Sequence, residues 1–404
     1  MLGKDRIEGD LISINKKLLP LSWLYGLGVG FRNLLFEMGI LKSRSFSTPV
    51  ISVGNITVGG TGKTPHVEYL IRLLKERAKV AVLSRGYKRK TSGFVLADEN
   101  ATVRTIGDEP YQMKTKFPDI TVAVDGKRTR GIDRLTSGEY VKGIDVIFLD
   151  DAFQHRYVKP GINILLVDYH RLIIYDKLLP AGRLREPIES KNRADIVIVT
   201  KCPKDLKPME FRVITKAMSL YPYQQLFFST HEFEALRPVF AENPEQTERP
   251  EQTELSEALA DKNVMLLTGI ASPEQMLIDL KTYAKEVTPL AFSDHHNFKK
   301  KDVDRINEAF SALPSPKLIV TTEKDETRLK QVVGLSEEVK TSLYALPIKI
   351  KILLDQENTF NQTIFSYVRK NSRNGILAEK PDDHKPKDSD RPGDRPRTIS
   401  FRNN

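Results

Sequence analysis

Residues 55–65 read NITVGGTGKTP, a run of small residues that closes on Lys-Thr and passes into a helical pattern. Without a Cβ, Gly59, Gly60 and Gly62 let backbone amides come close to phosphate oxygens, with Thr61 between them. Lys63 offers a cation to terminal phosphates, and Thr64 a hydroxyl to Mg²⁺. The chemistry implied is nucleotide binding. One position departs from the usual pattern: Thr57 stands where a glycine commonly lies five residues before the Gly-Lys pair.

Other stretches carry groups that could act on what this loop holds. DVIFLDD (145–151) is an apolar strand ending in paired acids, and Asp150 and Asp151 would sit beside the loop and hold Mg²⁺ directly or through water. IGDEP (106–110) places Asp108 and Glu109 in a turn, where a carboxylate could meet an acceptor hydroxyl. LSRGYKRK (83–90) and DGKRTRG (125–131) gather positive charge suited to an anionic substrate, and LPAGRLREP (179–187) is a polar loop carrying Glu186. Each of these loops reads equally well as a solvated connection. FSDHHNF (292–298) offers Asp294, His295 and His296. Adjacent histidines point to different sides and no cysteine is near, which disfavours zinc. A histidine acting with a carboxylate from elsewhere is the sharper reading, whereas His155 in AFQHR reads as structural.

These residues need a sheet edge to bring them together. PVISVG (49–54), KVAVLS (79–84), DITVAV (119–124), IDVIFLD (144–150), INILLVD (162–168) and ADIVIVT (194–200) are short, Val- and Ile-rich and mostly non-alternating, as strands buried on both faces are. Helical spacing over 64–77, 127–137 and 205–219 alternates with them. The expectation is an α/β, P-loop NTPase-like core over 49–225 with a doubly wound, mostly parallel sheet. A second βα series, NVMLLTGI (263–270), VTPLAFSD (287–294) and KLIVTTEKD (317–325), predicts a smaller α/β domain over 226–345. It carries an exposed loop in which PEQTE occurs twice. Residues 346–370 should return a strand and helix to the core, and 371–404, almost without apolar residues, read as a disordered tail.

The 404 residues carry 63 Lys and Arg against 53 Asp and Glu, a formal charge of +10 that favours anionic partners. No zinc spacing, basic zipper or RNA-binding aromatic signature is present, so nucleic acid is not expected. The single cysteine, Cys202, excludes an internal disulfide and suggests a reducing compartment. Within segment 1–48, the uncharged run 18–31 is too short to span a bilayer. Leu24, Leu27, Phe31, Leu34, Met38 and Leu41 nevertheless recur at helical spacing. That stripe fits a helix lying on a membrane surface, or one docked on the protein's own core.

Taken in order, NITVGGTGKTP, LSRGYKRK, GDEP, LDDAFQHR, LPAGRLREP, LTGIASP, FSDHHNF and TTEKD resemble the tetraacyldisaccharide 4'-kinase family of lipid A synthesis, as does LLPLSWLYG near the start. The resemblance implies a kinase that moves the γ-phosphate of ATP, with Mg²⁺, to the 4'-hydroxyl of a tetraacylated glucosamine disaccharide 1-phosphate. It implies an enzyme working peripherally at the cytoplasmic face of the inner membrane on a lipid A precursor; a monomer is expected, although the resemblance does not bear on oligomeric state. By the same resemblance, Asp108 matches the base, His295 its partner and Asp294 the group orienting that histidine. Glu109, Asp150 and Asp151 match acids around Mg²⁺, and Arg85, Tyr87, Arg128 and Glu186 fall in motifs near the substrate. A soluble P-loop ATP-dependent synthetase would share the first domain but gain nothing from the 18–41 helix. A membrane-bound ATPase switch would need no base at Asp108.

Overall fold

The computed structural model describes residues 12, 14–240, 255–270, 273–294, 296 and 298–371. The repeated PEQTE stretch, His295 and the expected tail beyond 371 lie outside the described residues.

The chain enters through helix α1 (Leu19–Glu37) and builds the first lobe from alternating strands and helices. In order these are β1 (Val50–Gly54), α2 (Lys63–Leu74), β2 (Val80–Ser84), β3 (Val95–Leu96), α3 (Val103–Ile106), α4 (Asp108–Lys116), β4 (Thr121–Val124), α5 (Arg128–Thr136), β5 (Val146–Asp150), β6 (Ile162–Asp168), β7 (Ile196–Thr200), α6 (Pro208–Met218) and β8 (Gln225–Phe233). The second lobe contributes β9 (Arg237–Pro238), α7 (Leu255–Leu259), β10 (Asn263–Thr268), α8 (Glu274–Leu280), β11 (Glu286–Ala291), α9 (Lys300–Ser311), β12 (Lys317–Thr322), α10 (Glu323–Leu329), α11 (Glu337–Ser342) and β13 (Leu343–Leu346). The chain then returns through β14 (Ile348–Ile352) and α12 (Glu357–Asn371).

The large sheet runs β14-β8-β7-β6-β1-β5-β2-β4-β3, parallel throughout except at its two edges, where β3 and β14 pair antiparallel. This is the doubly wound, mostly parallel arrangement the apolar runs predict. β1, β2, β5 and β7 are buried at every position because both faces are covered. Alternate residues serve opposite faces: Ile51, Val53 and Phe148 join the cluster that receives Phe360, Ile364 and Val368 of α12, while Val50, Ile147 and Leu149 pack with Ile132 and Leu135 of α5. The second sheet runs β11-β10-β12-β13-β9.

Two expectations need correction. The first lobe does not close at 225, because β8 continues to Phe233, which pairs with Ile348 of β14. The crossing to the second lobe therefore follows Phe233. Asp108 and Glu109 do not lie in a turn; they open α4, following Gly107 at φ +94°. Acids in a first helical turn face the positive end of the peptide dipoles, and the Pro110 ring removes only an N–H that the helix would leave unpaired.

Helix α1 docks through one face only. Ser22 Oγ donates to the Leu178 carbonyl at 2.9 Å, Tyr25 Oη to that of Arg185 at 2.8 Å, and Arg32 to that of Gln154 at 3.0 Å. Phe36 is buried edge-on against Tyr157. Trp23, Leu24, Leu27, Phe31, Leu34 and Met38 remain exposed along the other face. Among the described residues, no helix is long and apolar enough to cross a membrane.

Candidate active site

The glycine-rich loop leaves the carboxyl end of β1 and feeds α2, whose first residues are Lys63 and Thr64. Gly59 and Gly62 adopt φ of +120° and +80°, conformations that L side chains rarely take, so glycine is required at both. Thr57, by contrast, stands outside that region and bridges to Leu184, which explains why a threonine is tolerated there. The loop is fastened from three sides. Asn55 Nδ2 donates to Thr61 Oγ1 at 2.8 Å, Thr200 Oγ1 at the end of β7 donates to the Thr61 carbonyl at 3.0 Å, and His66 Nδ1 lies 2.7 Å from the Gly62 carbonyl. Burial pulls His66 down to about 4, so it works as a neutral strut, with Nε2 at 3.0 Å from Ser229 Oγ.

β5 delivers Asp150 and Asp151 to the same edge. Lys63 Nζ stands 3.7 Å from Asp151 Oδ1, and Arg185 reaches that oxygen at 3.2 Å while also holding the Asn55 side chain. Burial alone would raise the Asp151 carboxyl, but Lys63 and Arg185 outweigh it and hold it below the usual range. Asp150 behaves oppositely: burial, then the charges of Asp151 and Glu109, push it up to about 6. Ser84 Oγ donates to Asp150 Oδ2 at 3.2 Å, whereas the buried Oδ1 has no hydrogen-bond partner. A buried acid with a raised pKa and an orphaned oxygen suits a cation. Among the described residues no group of three acids or histidines is disposed as a complete metal cage. Mg²⁺ does not demand one, since it keeps waters and phosphate oxygens in its shell.

The second lobe closes over this edge with cations. Arg328 of α10 donates to Asp108 Oδ2 at 2.5 Å and to Asp325 Oδ1 at 3.1 Å. Asp325 is itself fixed by the Gly269 amide at 2.9 Å and the Thr322 hydroxyl at 2.8 Å. One turn earlier, Lys324 Nζ lies 3.6 Å from Glu109 and 3.3 Å from Asp294. Asp108, Glu109 and Asp294 are thereby drawn to one interlobe seam.

Arg85 is exposed after β2, and Tyr87 is exposed two residues on. Two other residues expected near the substrate are buried. Arg128 is buried at the start of α5, donating to the Asp125 carbonyl at 2.6 Å and the Asp150 carbonyl at 3.1 Å, so it braces β5 from behind. Burial lowers its pKa to about 10. Glu186 is likewise buried, 2.5 Å from Arg193 and 3.9 Å from Arg32 of α1, which makes it an anchor for that helix. His155 is also held neutral, pulled to about 4 by burial and by Arg128, Arg32 and Arg85.

A family model described as tetraacyldisaccharide-1-P 4'-kinase matches residues 14–369. The chain belongs to the tetraacyldisaccharide 4'-kinase family. Relatives of that name share 58 % identity in Phocaeicola vulgatus, over 92 % of this chain and all of the relative, and 55 % in Bacteroides thetaiotaomicron, over 94 % and all. A crystal structure of the "apo" form of LpxK from Aquifex aeolicus in complex with ATP is similar at 30 % identity and a TM-score of 0.65, covering 88 % of this chain and 99 % of that one.

Three charged residues of this edge, Arg185, Lys324 and Arg328, do not stand out in the sequence. Arg185 stands beside Glu186 in LPAGRLREP, and the charge that faces the loop is the arginine. Lys324 and Arg328 were legible only as a cation pair at i, i+4 after a strand, a pattern shared by countless surface helices.

Proposed function

We propose that this kinase transfers the γ-phosphate of ATP to the 4'-hydroxyl of a tetraacylated glucosamine disaccharide 1-phosphate. The observation that carries the reading is the position of Asp108, at the head of α4 on the sheet edge that also bears the glycine-rich loop, held from the second lobe by Arg328. Amides of residues 59–64 and Lys63 bind the nucleotide phosphates and spread the charge that builds on the transferring group. Thr64, Asp150, Asp151 and Glu109 fit Mg²⁺, which when bound supplies neutralisation of phosphate charge. Asp108 accepts the proton of the sugar hydroxyl, and His295, oriented by Asp294, assists it. Arg185 keeps Asp151 and Asn55 in place. The chain works as a monomer, with α1 lying on the cytoplasmic face of the inner membrane and its exposed stripe among the acyl chains.

The test is transfer of label from γ-labelled ATP into a tetraacyldisaccharide 1-phosphate in mixed micelles, with Asp108→Ala, His295→Ala and the double variant. Each single change should depress kcat by about 10²- to 10⁴-fold with little effect on the KM for ATP. Because residues that act as a unit are non-additive, the double variant should be scarcely worse than the poorer single one. Penalties that multiply would separate the two residues, and unlabelled lipid with wild-type enzyme would sink the reading.

A further inference from the structure

Helix α4 brings more than the proposed base to the interlobe seam. Asp108, Gln112 and Lys116 stand at successive i, i+4 positions, so one face of the helix carries all three. Asp108, the first residue of α4, meets Arg328 near the end of α10, whereas Lys116, its last residue, meets Glu323 at the start of α10. The two helices therefore run antiparallel across the seam, with an ion pair at each end.

The pair away from Asp108 has a third member. Lys116 Nζ donates to the Glu323 carboxylate at 2.7 Å and to Glu68 Oε2 at 2.7 Å, and Gln112 Nε2 donates to Glu68 Oε1 at 2.9 Å. Glu68 belongs to α2, the helix that opens with Lys63 and Thr64 of the glycine-rich loop. Both carboxylates are buried, with Glu68 2 % and Glu323 8 % exposed. Burial pushes the Glu68 carboxyl up, and the Lys116 ammonium works against that rise. Two buried acids from different lobes thus share one cation, with Arg237 3.8 Å from Glu323. Without Lys116 they would face each other across the seam as like charges.

The network spans the three parts that transfer needs in register: the base on α4, the phosphate loop at the head of α2, and the covering lobe. A misplacement of about 1 Å between reacting groups can cost about 10²-fold in rate. We propose that Lys116 is a positioning residue, which fixes the helix bearing Asp108 to the helix of the nucleotide loop through Glu68 and to the second lobe through Glu323. It acts through Asp108 from about 12 Å away along α4. This rests on the proposed function, in which Asp108 is the base, and adds to it the device that sets the distance from base to bound nucleotide.

The experiment follows label from γ-labelled ATP into a tetraacyldisaccharide 1-phosphate in mixed micelles, for wild type, Lys116→Met, Asp108→Ala and the variant carrying both changes. Lys116→Met should lower kcat about 10-fold or more while the KM values for ATP and lipid move by less than about threefold. Placed on Asp108→Ala, the same change should cost almost nothing further, because a positioning residue has no effect once the group it positions is gone. Lys116→Arg, whose fork can reach both carboxylates, should recover most of the rate. Lys116→Met combined with Glu68→Gln removes the cation together with one of the two acids. It should melt closer to wild type than Lys116→Met does and stay slow, which separates lost alignment from lost folding. With Asp108→Ala impaired, an unchanged kcat in Lys116→Met would overturn the positioning role while leaving the kinase reading intact. So would penalties that multiply with that of Asp108→Ala, or a rate that returns along with the melting temperature. Full activity of Asp108→Ala, or no labelled lipid from wild type, would sink the proposed function and this inference with it.

Discussion

Arg328 of the smaller lobe donates to Asp108 of the larger one at 2.5 Å, and the same guanidinium reaches Asp325 at 3.1 Å. One side chain thus sets the distance between the proposed base and the lobe that covers it. Arg328→Ala leaves the buried Asp325 carboxylate without its cation, a loss of about 3 kcal/mol, eased by the Gly269 amide and Thr322 hydroxyl that remain. The expected result is a lower melting temperature and a kcat reduced at least tenfold, with Arg328→Lys recovering stability better than rate because it lacks the fork. Unchanged kcat in the alanine variant would detach Arg328 from catalysis.

Asp150 makes stability depend on pH in a direction opposite to that of most carboxylates. Its folded value of about 6 lies above the ordinary 3.8, so the folded state binds its proton more tightly than the unfolded state does. Well below pH 3.8 both states are protonated and nothing is lost. As pH rises towards 6 the unfolded state ionises first, and above that the folded chain carries the full cost, on the order of 3 kcal/mol. Asp150→Asn should therefore stabilise the chelator-treated, nucleotide-free protein at pH 7–8, with the gain vanishing well below pH 3.8, while kcat collapses. Denaturant melts at several pH values check this, and a pH-independent gain would contradict it.

Lys63→Ala removes the lysine proposed to meet the nucleotide phosphates and also the cation facing Asp151 at 3.7 Å. A rate loss on the order of 10²-fold or more is expected, since charge stabilisation of the transferring group is lost. Near-normal turnover would take the loop out of the mechanism.

The two faces of α1 differ in what they touch, so the proposed anchoring can be separated from folding. Leu27 and Phe31 are 71 % and 63 % exposed, whereas Phe36 is only 7 % exposed. Leu27→Asp with Phe31→Asp should release the protein from vesicles in a flotation assay while leaving its melting temperature unaltered. Phe36→Ala should do the reverse, costing about 3 kcal/mol through the emptied contact with Tyr157. Loss of cooperative melting in the aspartate pair would show that the stripe belongs to the protein's own core.

The buried strands were legible because Val and Ile runs such as those of β5 and β7 have no polar alternation to confuse them. Asp108 was found as a residue but misplaced as a conformation. Gly107 before it and Pro110 after it signal a turn and a helix start alike, and only packing decides between them. β9 and β13 escaped because two and four residues carry too little periodicity. The burial of Glu186 and Arg128 was not legible for one reason: a charge in a polar stretch says nothing about which side of the chain it faces, and both turn inward to partners far off in sequence. Arg328 meets Asp108 at a sequence separation of 220, a relationship that only the folded chain reveals.

The pairing of Phe233 with Ile348 has a consequence for how the chain is made. A ribosome releases β8 long before β14, so the newborn large sheet presents β8 as an open edge while more than a hundred residues are still being added. The smaller lobe, with both its ends rooted at that edge, has time to condense there as a self-contained unit. Only when β14 docks and α12 seats Phe360, Ile364 and Val368 is the sheet sealed. A chain truncated before 348 would therefore leave the ribosome with the edge of β8 uncovered, and should be met by chaperones or lost to aggregates.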